Sequence, residues 1–177
     1  MSGARYSLRR ALPSDAASLA AFAARTFIEA FGADNDPKHM TAHLAATYGP
    51  EQQRAEISDP SVVTLLLEAD GVMAGYAMVR RNAPPACVPI RTAVELWRFY
   101  VDRPWHGHGG AQRLMAGVRE VAAAFGAPAI WLGVFERNAR AIAFYGKCGF
   151  ADAGAGEFIL GGDRQTDRIL AASIATT

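Results

Sequence analysis

The segment His106-Gly107-His108-Gly109-Gly110-Ala111 lies between a β-rich run ending at Val101 and a long helix-like run, Gly110–Phe125. A glycine-rich turn that opens a helix leaves several backbone N–H groups without intrahelical partners. They point along the helix dipole and stabilise an anionic phosphate. Glycine also removes the Cβ atoms that would hold a pyrophosphate at a distance. Two familiar phosphate motifs are excluded. A Walker loop needs Gly-Lys-Ser/Thr at its end, and Gly109-Gly110-Ala111 supplies none of it. The dinucleotide fingerprint fails because Gln112 stands three positions after Gly109, where a glycine is required. His106 and His108 have no acidic or cysteine partner near them in sequence, so no metal is expected.

A second segment, Asn138–Phe150, carries Asn138, Ala141, Phe144, Tyr145, Lys147 and Cys148 at helical spacing. Read alone, Ala141, Phe144 and Tyr145 are simply an apolar helix face. A third, Val94–Val101, is a strand on which Glu95 alternates onto one face with Trp97, Phe99 and Val101.

The elements that must position these residues follow from pattern. Tyr6–Ala11 reads as a strand, and Ser14 as the cap of a helix that opens at Asp15. Leu19, Phe22, Ala23, Thr26, Phe27 and Ala30 form that helix's buried face. Gly32–Asp36 reads as a loop, Pro37–Tyr48 as a helix and Glu51–Ile57 as a further short helix. Val62–Ala69 and Val72–Arg80 flank Asp70-Gly71, a hairpin signal because a tight turn requires positive φ. Asn82–Pro89, with three prolines, reads as an irregular surface connection. Ala129–Val134 is a buried strand and Asn138–Lys147 a helix stopped near Gly149. Phe158–Leu160 and Arg168–Ala172 close the chain around Gly161-Gly162. Antiparallel strands followed by a βαβα unit imply an α/β (α+β) fold, one mixed sheet flanked by helices.

The 177 residues suit one domain, 1–177. A net charge of +1 gives no global attraction for nucleic acid, and no apolar run is long enough to span a bilayer. Arg9-Arg10 before an alanine-rich stretch resembles a twin-arginine leader, but Pro13, Ser14 and Asp15 interrupt it. With Cys87 and Cys148 alone, a disulfide scaffold is not expected, and a reducing cytoplasmic location is.

Taken together, the glycine loop and Asn138–Phe150 resemble the GNAT superfamily of N-acetyltransferases. The family loop Gln/Arg-x-x-Gly-x-Gly/Ala is present as His106-x-x-Gly109-x-Ala111, departing only in His106, and Trp105-His-Gly-His-Gly keeps its aromatic-x-Gly-x-Gly rhythm. The run Asn138-Ala-Arg-Ala-Ile-Ala-Phe-Tyr-Gly-Lys-Cys-Gly-Phe150 matches Asn-x-x-Ala-x-x-Phe-Tyr-x-x-x-Gly-Phe. The resemblance implies a mostly antiparallel sheet of about seven strands, with strands 4 and 5 splayed to admit the pantetheine arm of acetyl-CoA. The implied cofactor contacts are Phe99, Tyr100, Val101, His106, Gly107, His108, Gly109, Gly110, Ala111, Gln112, Asn138, Ala141, Phe144, Tyr145 and Lys147. Thr26-Phe27, Asn35-Asp36-Pro37, Ala74-Gly75-Tyr76, Glu95–Val101, Ile130–Val134 and Gln165-Thr-Asp167 narrow the likeness to bacterial spermidine/spermine acetyltransferases. Dimers are common in such families, so a homodimer is an added expectation.

Acetyl transfer needs a neutral amine, whereas an alkylammonium has a pKa of about 10.4. Glu95 is the expected base or substrate anchor, with a solvent route as the alternative. Tyr145 is the expected acid for the departing thiolate, and a backbone N–H near Phe99–Val101 is expected to stabilise the oxyanion at a bulge. Cys148 has no neighbouring histidine in sequence to activate it and reads as a small core residue. Glu29, Asp34 and Asp36 are candidates to hold a polycation, or else an ordinary solvated helix end. The competing functions are a protein N-terminal or lysine acetyltransferase and a noncatalytic CoA-binding sensor.

Overall fold

The computed structural model describes residues 5–174. A seven-stranded sheet runs in the order β1-β2-β3-β4-β5-β7-β6. Its strands are β1 (Tyr6–Arg10), β2 (Val62–Ala69), β3 (Val72–Arg80), β4 (Val94–Val101), β5 (Ala129–Phe135), β6 (Ala151–Leu160) and β7 (Asp163–Ser173). Helices α1 (Ala16–Phe31), α2 (Pro37–Thr47) and α3 (Pro50–Ser58) precede β2. Helix α4 (Gly110–Ala124) joins β4 to β5, and α5 (Ala139–Lys147) follows β5. Every neighbouring pair of strands is antiparallel except β4 and β5.

Each face of the sheet carries its own core. Leu65, Leu67, Ala77, Val79, Leu96, Leu132 and Leu170 pack beneath Leu114, Val118 and Tyr145 of α4 and α5. Leu66, Tyr76 and Met78 pack beneath Leu19, Phe22, Ala23 and Phe27 of α1. β2 is therefore covered on both sides, which explains its nearly unbroken apolar run. At the β2–β3 turn, Asp70 and Gly71 take φ of +50° and +82°, as the Asp-Gly pair requires.

Several expectations need correction. Ser14 does not cap α1. Pro13–Asp15 form a 3-10 turn, with the Asp15 carboxylate drawn to the Leu12 N–H and the Arg9 guanidinium. Ala30 is exposed, because the buried stripe of α1 ends at Phe27 as the helix passes the sheet. Gly32–Asp34 is a 3-10 turn rather than open loop. The 82–93 connection is irregular but anchored, since Val88 is fully buried with Trp131 and Ile169. β6 and β7 are far longer than the expected closing strands, being ten and eleven residues. Gly154 and Gly156 hide β6 in the sequence: Gly154 marks a bulge, and a Cβ at Gly156 would crowd Ile169.

Two features of β4 position the site. It pairs with β5 only at Val94–Ile130 and Glu95–Trp131, after which the strands diverge. On its other edge, Arg98 pairs with Met78 but Leu96 pairs with Val79, so Trp97 is an extra, bulged residue. The bulge overturns the expected alternation. Phe99 and Val101 face the α4/α5 core, while Tyr100 faces the α1 core with Trp97. It also stands at Trp97, upstream of the expected Phe99–Val101.

Candidate active site

At the C-terminal end of β4, the chain turns through Arg103–Trp105 and enters α4 at Gly109. Gly107 and Gly109 adopt φ of +79° and +85°, a region that disfavours L side chains. The first bond that closes α4 is Arg113 N–H to Gly109 O, 3.1 Å. The N–H groups of Gly110, Ala111 and Gln112 are thus left outside the helical ladder at its positive end. Arg25 steadies the approach by a bidentate bond to Asp102, whose carboxylate also accepts from Arg103 N–H. This ion pair holds Asp102 below the usual carboxylate range.

His106 is turned inward. Its Nε2 lies 2.6 Å from the Val101 carbonyl, so the ring braces the end of β4 instead of reaching outward as a longer side chain would. His108 and Gln112 are exposed, as is Lys147 at the end of α5.

The divergence of β4 and β5 opens a cavity of about 540 Å³ that reaches from the α1 side of the sheet through the split to α5. Glu95, Phe99, Tyr100, Asn138, Ala141 and Tyr145 all line it. Val101, the last residue of β4, and the 106–112 loop beyond it lie outside the cavity's lining, and Phe144 lies behind Phe99 in a stacked contact (5.5 Å between ring centres). Asn138 caps α5, its Oδ1 accepting from Ala141 N–H at 3.1 Å. The β5-facing edge of β4 beyond Glu95 has no strand partner, which is room for an extended, hydrogen-bonding arm.

Tyr145 is buried at the junction of α5 and β4, edge-on to Phe99 and Phe150. Burial, and then the adjacent Cys148, push its phenol well above the ordinary value, so it is a hydrogen-bond donor at neutral pH. Burial likewise raises the Cys148 thiol, with Arg119 opposing, and the side chain packs into the α4/α5 core. A thiol kept protonated is a poor nucleophile.

Glu95 is 8% exposed, and its Oε2 accepts from Arg80 Nε and from Asn82 Nδ2 at 2.8 Å. Arg80 in turn lies flat on Trp97, 3.8 Å from the ring centre. The other cavity arginine, Arg98, is paired twice with Glu56 and stacks between Trp97 and Tyr48. Burial is the strongest single influence and works against the Arg98 charge, but the Glu56 hydrogen bonds together with the electrostatic effect of Tyr48, Tyr76 and Glu56 outweigh it, so its pKa is raised. His43 is pushed below its usual value by burial and by Arg98, which leaves it neutral.

Glu29, Asp34 and Asp36, the candidates either for holding a polycation or for an ordinary solvated helix end, do not line the cavity. Glu29 pairs with Arg25, Asp36 caps α2 through Lys38 N–H, and Asp34 is exposed. The acceptor side is instead closed by the β6–β7 hairpin, through Glu157, Phe158, Gln165 and Asp167. The hairpin docks on α2 so closely that a Cβ at Gly161 would strike the His39 carbonyl, and Gln165 bonds Asn35. Gln165 and Asp167 stood in the sequence as part of a family likeness, with no pattern to give them a role.

The model of the acetyltransferase (GNAT) family matches residues 25–150, which include the glycine loop, the splayed strands and α5. The chain belongs to the GNAT family of acetyltransferases. As a GNAT enzyme it is an N-acetyltransferase whose co-substrate is acetyl-CoA, and the cradle at Gly107–Gly110 and the free edge of β4 fit that molecule. An N-acetyltransferase of Mycobacterium tuberculosis is 36% identical over 157 residues, covering 89% of this chain and 96% of that protein. One from Lactobacillus delbrueckii subsp. lactis is 30% identical, covering 85% and 87% respectively. Among solved structures, the PaiA N-acetyltransferase of Thermoplasma acidophilum, in complex with coenzyme A, superposes with a TM-score of 0.79 at 17% identity, covering 96% of this chain and 99% of that one. At that identity the likeness concerns the fold.

No helix among the described residues is long and apolar enough to cross a membrane, and no cluster of potential metal ligands occurs among them.

Proposed function

We propose that this GNAT enzyme acetylates a primary amine of a small polycation, with spermidine and spermine the first acceptors to test, by direct attack within a ternary complex. The observation that carries the reading is the charge and lining of the acceptor cavity. Phe27, Tyr48, Trp97, Tyr100, Trp131 and Phe158 line it with aromatic surface. Both its arginines are already paired with carboxylates, and its histidine is neutral. Glu157 and Asp167 add acidic groups on the hairpin side. An alkylammonium meets ring faces there without a free cation to repel it, and such contacts are worth about 2 kcal/mol when desolvated.

Acetyl-CoA supplies the activated acyl group. The chain's own residues do the rest. The 107–112 loop binds the pyrophosphate through backbone N–H groups and the α4 dipole. The free edge of β4 aligns the pantetheine arm, and a backbone N–H of that edge faces the carbonyl oxygen. Asn138 fixes the start of α5 and so the place of Tyr145. The Tyr145 hydroxyl donates to the departing sulfur, and its raised pKa makes it chiefly a hydrogen-bond donor, with complete proton transfer secondary. Glu95, held by Arg80 and Asn82, anchors the base of the cavity.

A thiol-release assay with acetyl-CoA against spermidine, spermine, lysine peptides, N-terminal peptides and aminoglycosides tests the reading. Release that depends on spermidine or spermine is the expected result. Release with peptides alone would replace the polyamine by a protein acceptor. CoA binding without release to any amine would favour a sensor.

A further inference from the structure

Asp167 stands apart from the other carboxylates that line the cavity. It lies on β7 opposite Phe135 of β5 and lines the acceptor cavity. Its Oδ2 leans over Gly133, only 3.0 Å from where a β-carbon would stand there. Gly133 is two residues past Trp131, the last residue of β5 to pair with β4, so the carboxylate overhangs the beginning of the split. Glycine at 133 is what lets it lie there. The same cavity reaches Tyr145, so a donor and a carboxylate border a single space at the divergence of the two strands.

Among the described residues, no arginine, lysine or histidine forms an ion pair with Asp167. The neighbouring Arg168 is committed to Asp152. The charged and titratable groups around Asp167 are Glu136 from the end of β5, Glu157 from β6, Glu95 with its partner Arg80 from β4 and β3, His43 from α2 and Tyr145 from α5. Glu157 is drawn toward Arg164, and Glu95 is held by Arg80 and Asn82. Of the cavity carboxylates, Asp167 is the one with no cation in contact.

We propose that the Asp167 carboxylate accepts the proton released by the attacking amine. The amine nitrogen bonds to the thioester carbonyl carbon, the carbon–sulfur bond breaks, and the nitrogen gives its proton to Asp167. Sulfur leaves as thiolate with a hydrogen bond from Tyr145 and becomes the free thiol by taking, through solvent, the proton that Asp167 holds, which restores the carboxylate. An acceptor that arrives as an ammonium first loses one further proton to solvent, so one proton is released per turnover. Burial, and then Glu136, raise the Asp167 carboxyl to about 6. That lies well below an alkylammonium, at about 10.4, so the group suits the nitrogen once bonded to carbon, when it is much more acidic. This inference rests on the established acetyl transfer and not on the polyamine reading.

Asp167→Asn keeps the shape and removes the base. The pH profile of kcat/KM is measured with whichever panel amine gives the fastest thiol release. Wild type should lose activity as pH falls through about 6, because the carboxylate protonates. In the variant, kcat should drop about 100-fold, that limb should disappear, and the KM for acetyl-CoA should stay within about twofold. Gly133→Ala, which keeps the carboxylate but pushes it aside by a few tenths of an ångström, should lower kcat by about tenfold and retain the limb. Carbon-13 NMR titration of the Asp167 carboxyl in the free chain needs no acceptor and should give a midpoint near 6. A midpoint at the ordinary aspartate value would overturn the proposal. So would an Asp167→Asn variant that keeps the limb, which His43 would then carry, or one that raises only the KM for amine. Thiol release confined to a peptide acceptor would discard the polyamine and leave the Asp167 result standing.

Discussion

Past Val101 the protein offers backbone to the co-substrate we propose there: two left-handed glycines, the open end of α4 and an unpaired strand edge. Around Glu95, the proposed acceptor end, it offers side chains from α1, α2, β3, β4, β5, α5 and the β6–β7 hairpin. The first kind of site needs particular residue types at short spacing, and the second needs seven segments to converge. The phosphate end is therefore local and tolerant of side-chain change. The acceptor end is distributed, and its walls depend on buried charge.

The sharpest way to expose that dependence is to break the buried pair beneath the cavity. Glu56→Ala strands Arg98, 7% exposed, between Trp97 and Tyr48. Removing one partner of such a pair costs about 3–5 kcal/mol. Thermal unfolding should show a large fall in Tm, with residual CoA affinity preserved wherever the chain stays folded. A fall in Tm of only a degree or two would mean that the pair is solvated and the contrast between the two ends is overdrawn.

Tyr145→Phe addresses the point where the two ends meet. The ring packs identically, so Tm should hold, while kcat should fall about 100-fold, equal to about 2.7 kcal/mol of barrier. The KM for acetyl-CoA should be nearly unchanged. Unchanged turnover would remove the hydroxyl from the reaction.

Gly109→Val tests the backbone end directly. A β-branched residue at φ +85° is strained by about 1–3 kcal/mol, and the loop must shift to relieve it. Isothermal titration should show CoA affinity reduced about tenfold, with the amine KM untouched. Weakened amine binding with CoA binding intact would reverse the roles assigned to the two ends.

What the sequence disclosed follows the same division. The turn at Gly107 and Gly109 and the start of α4 were legible because a glycine turn into a helix is short and built from residue type. β2, β3 and β4 emerged with their observed bounds because apolar runs and one Asp-Gly turn fix them. The bulge at Trp97 was not legible, since strand alternation carries no sign of an extra residue, and it reversed the faces of Phe99 and Val101 relative to Glu95. β6 was hidden by Gly154 and Gly156, whose reasons lie in a bulge and a close neighbour across the hairpin. Without that hairpin, Asp167 had no place in the cavity. The pairing of Arg98 with Glu56 spans forty-two positions of sequence, and no local pattern announces it.

His106 gives the smallest effect and tests the local rule most finely. The resemblance expected a long side chain there to assist phosphate binding, but the imidazole lies on the Val101 carbonyl. If the backbone carries the phosphate contacts, His106→Ala should lower CoA affinity by about twofold or less. It should destabilise the chain by about 0.5–1.5 kcal/mol, the worth of one hydrogen bond. His106→Gln separates the two effects. A glutamine long enough to reach outward should match or slightly exceed wild-type CoA affinity while showing the same loss of Tm. A tenfold loss of affinity in both variants would mean that His106 positions the phosphate loop through Val101, extending the side-chain logic of the acceptor end into the cradle itself.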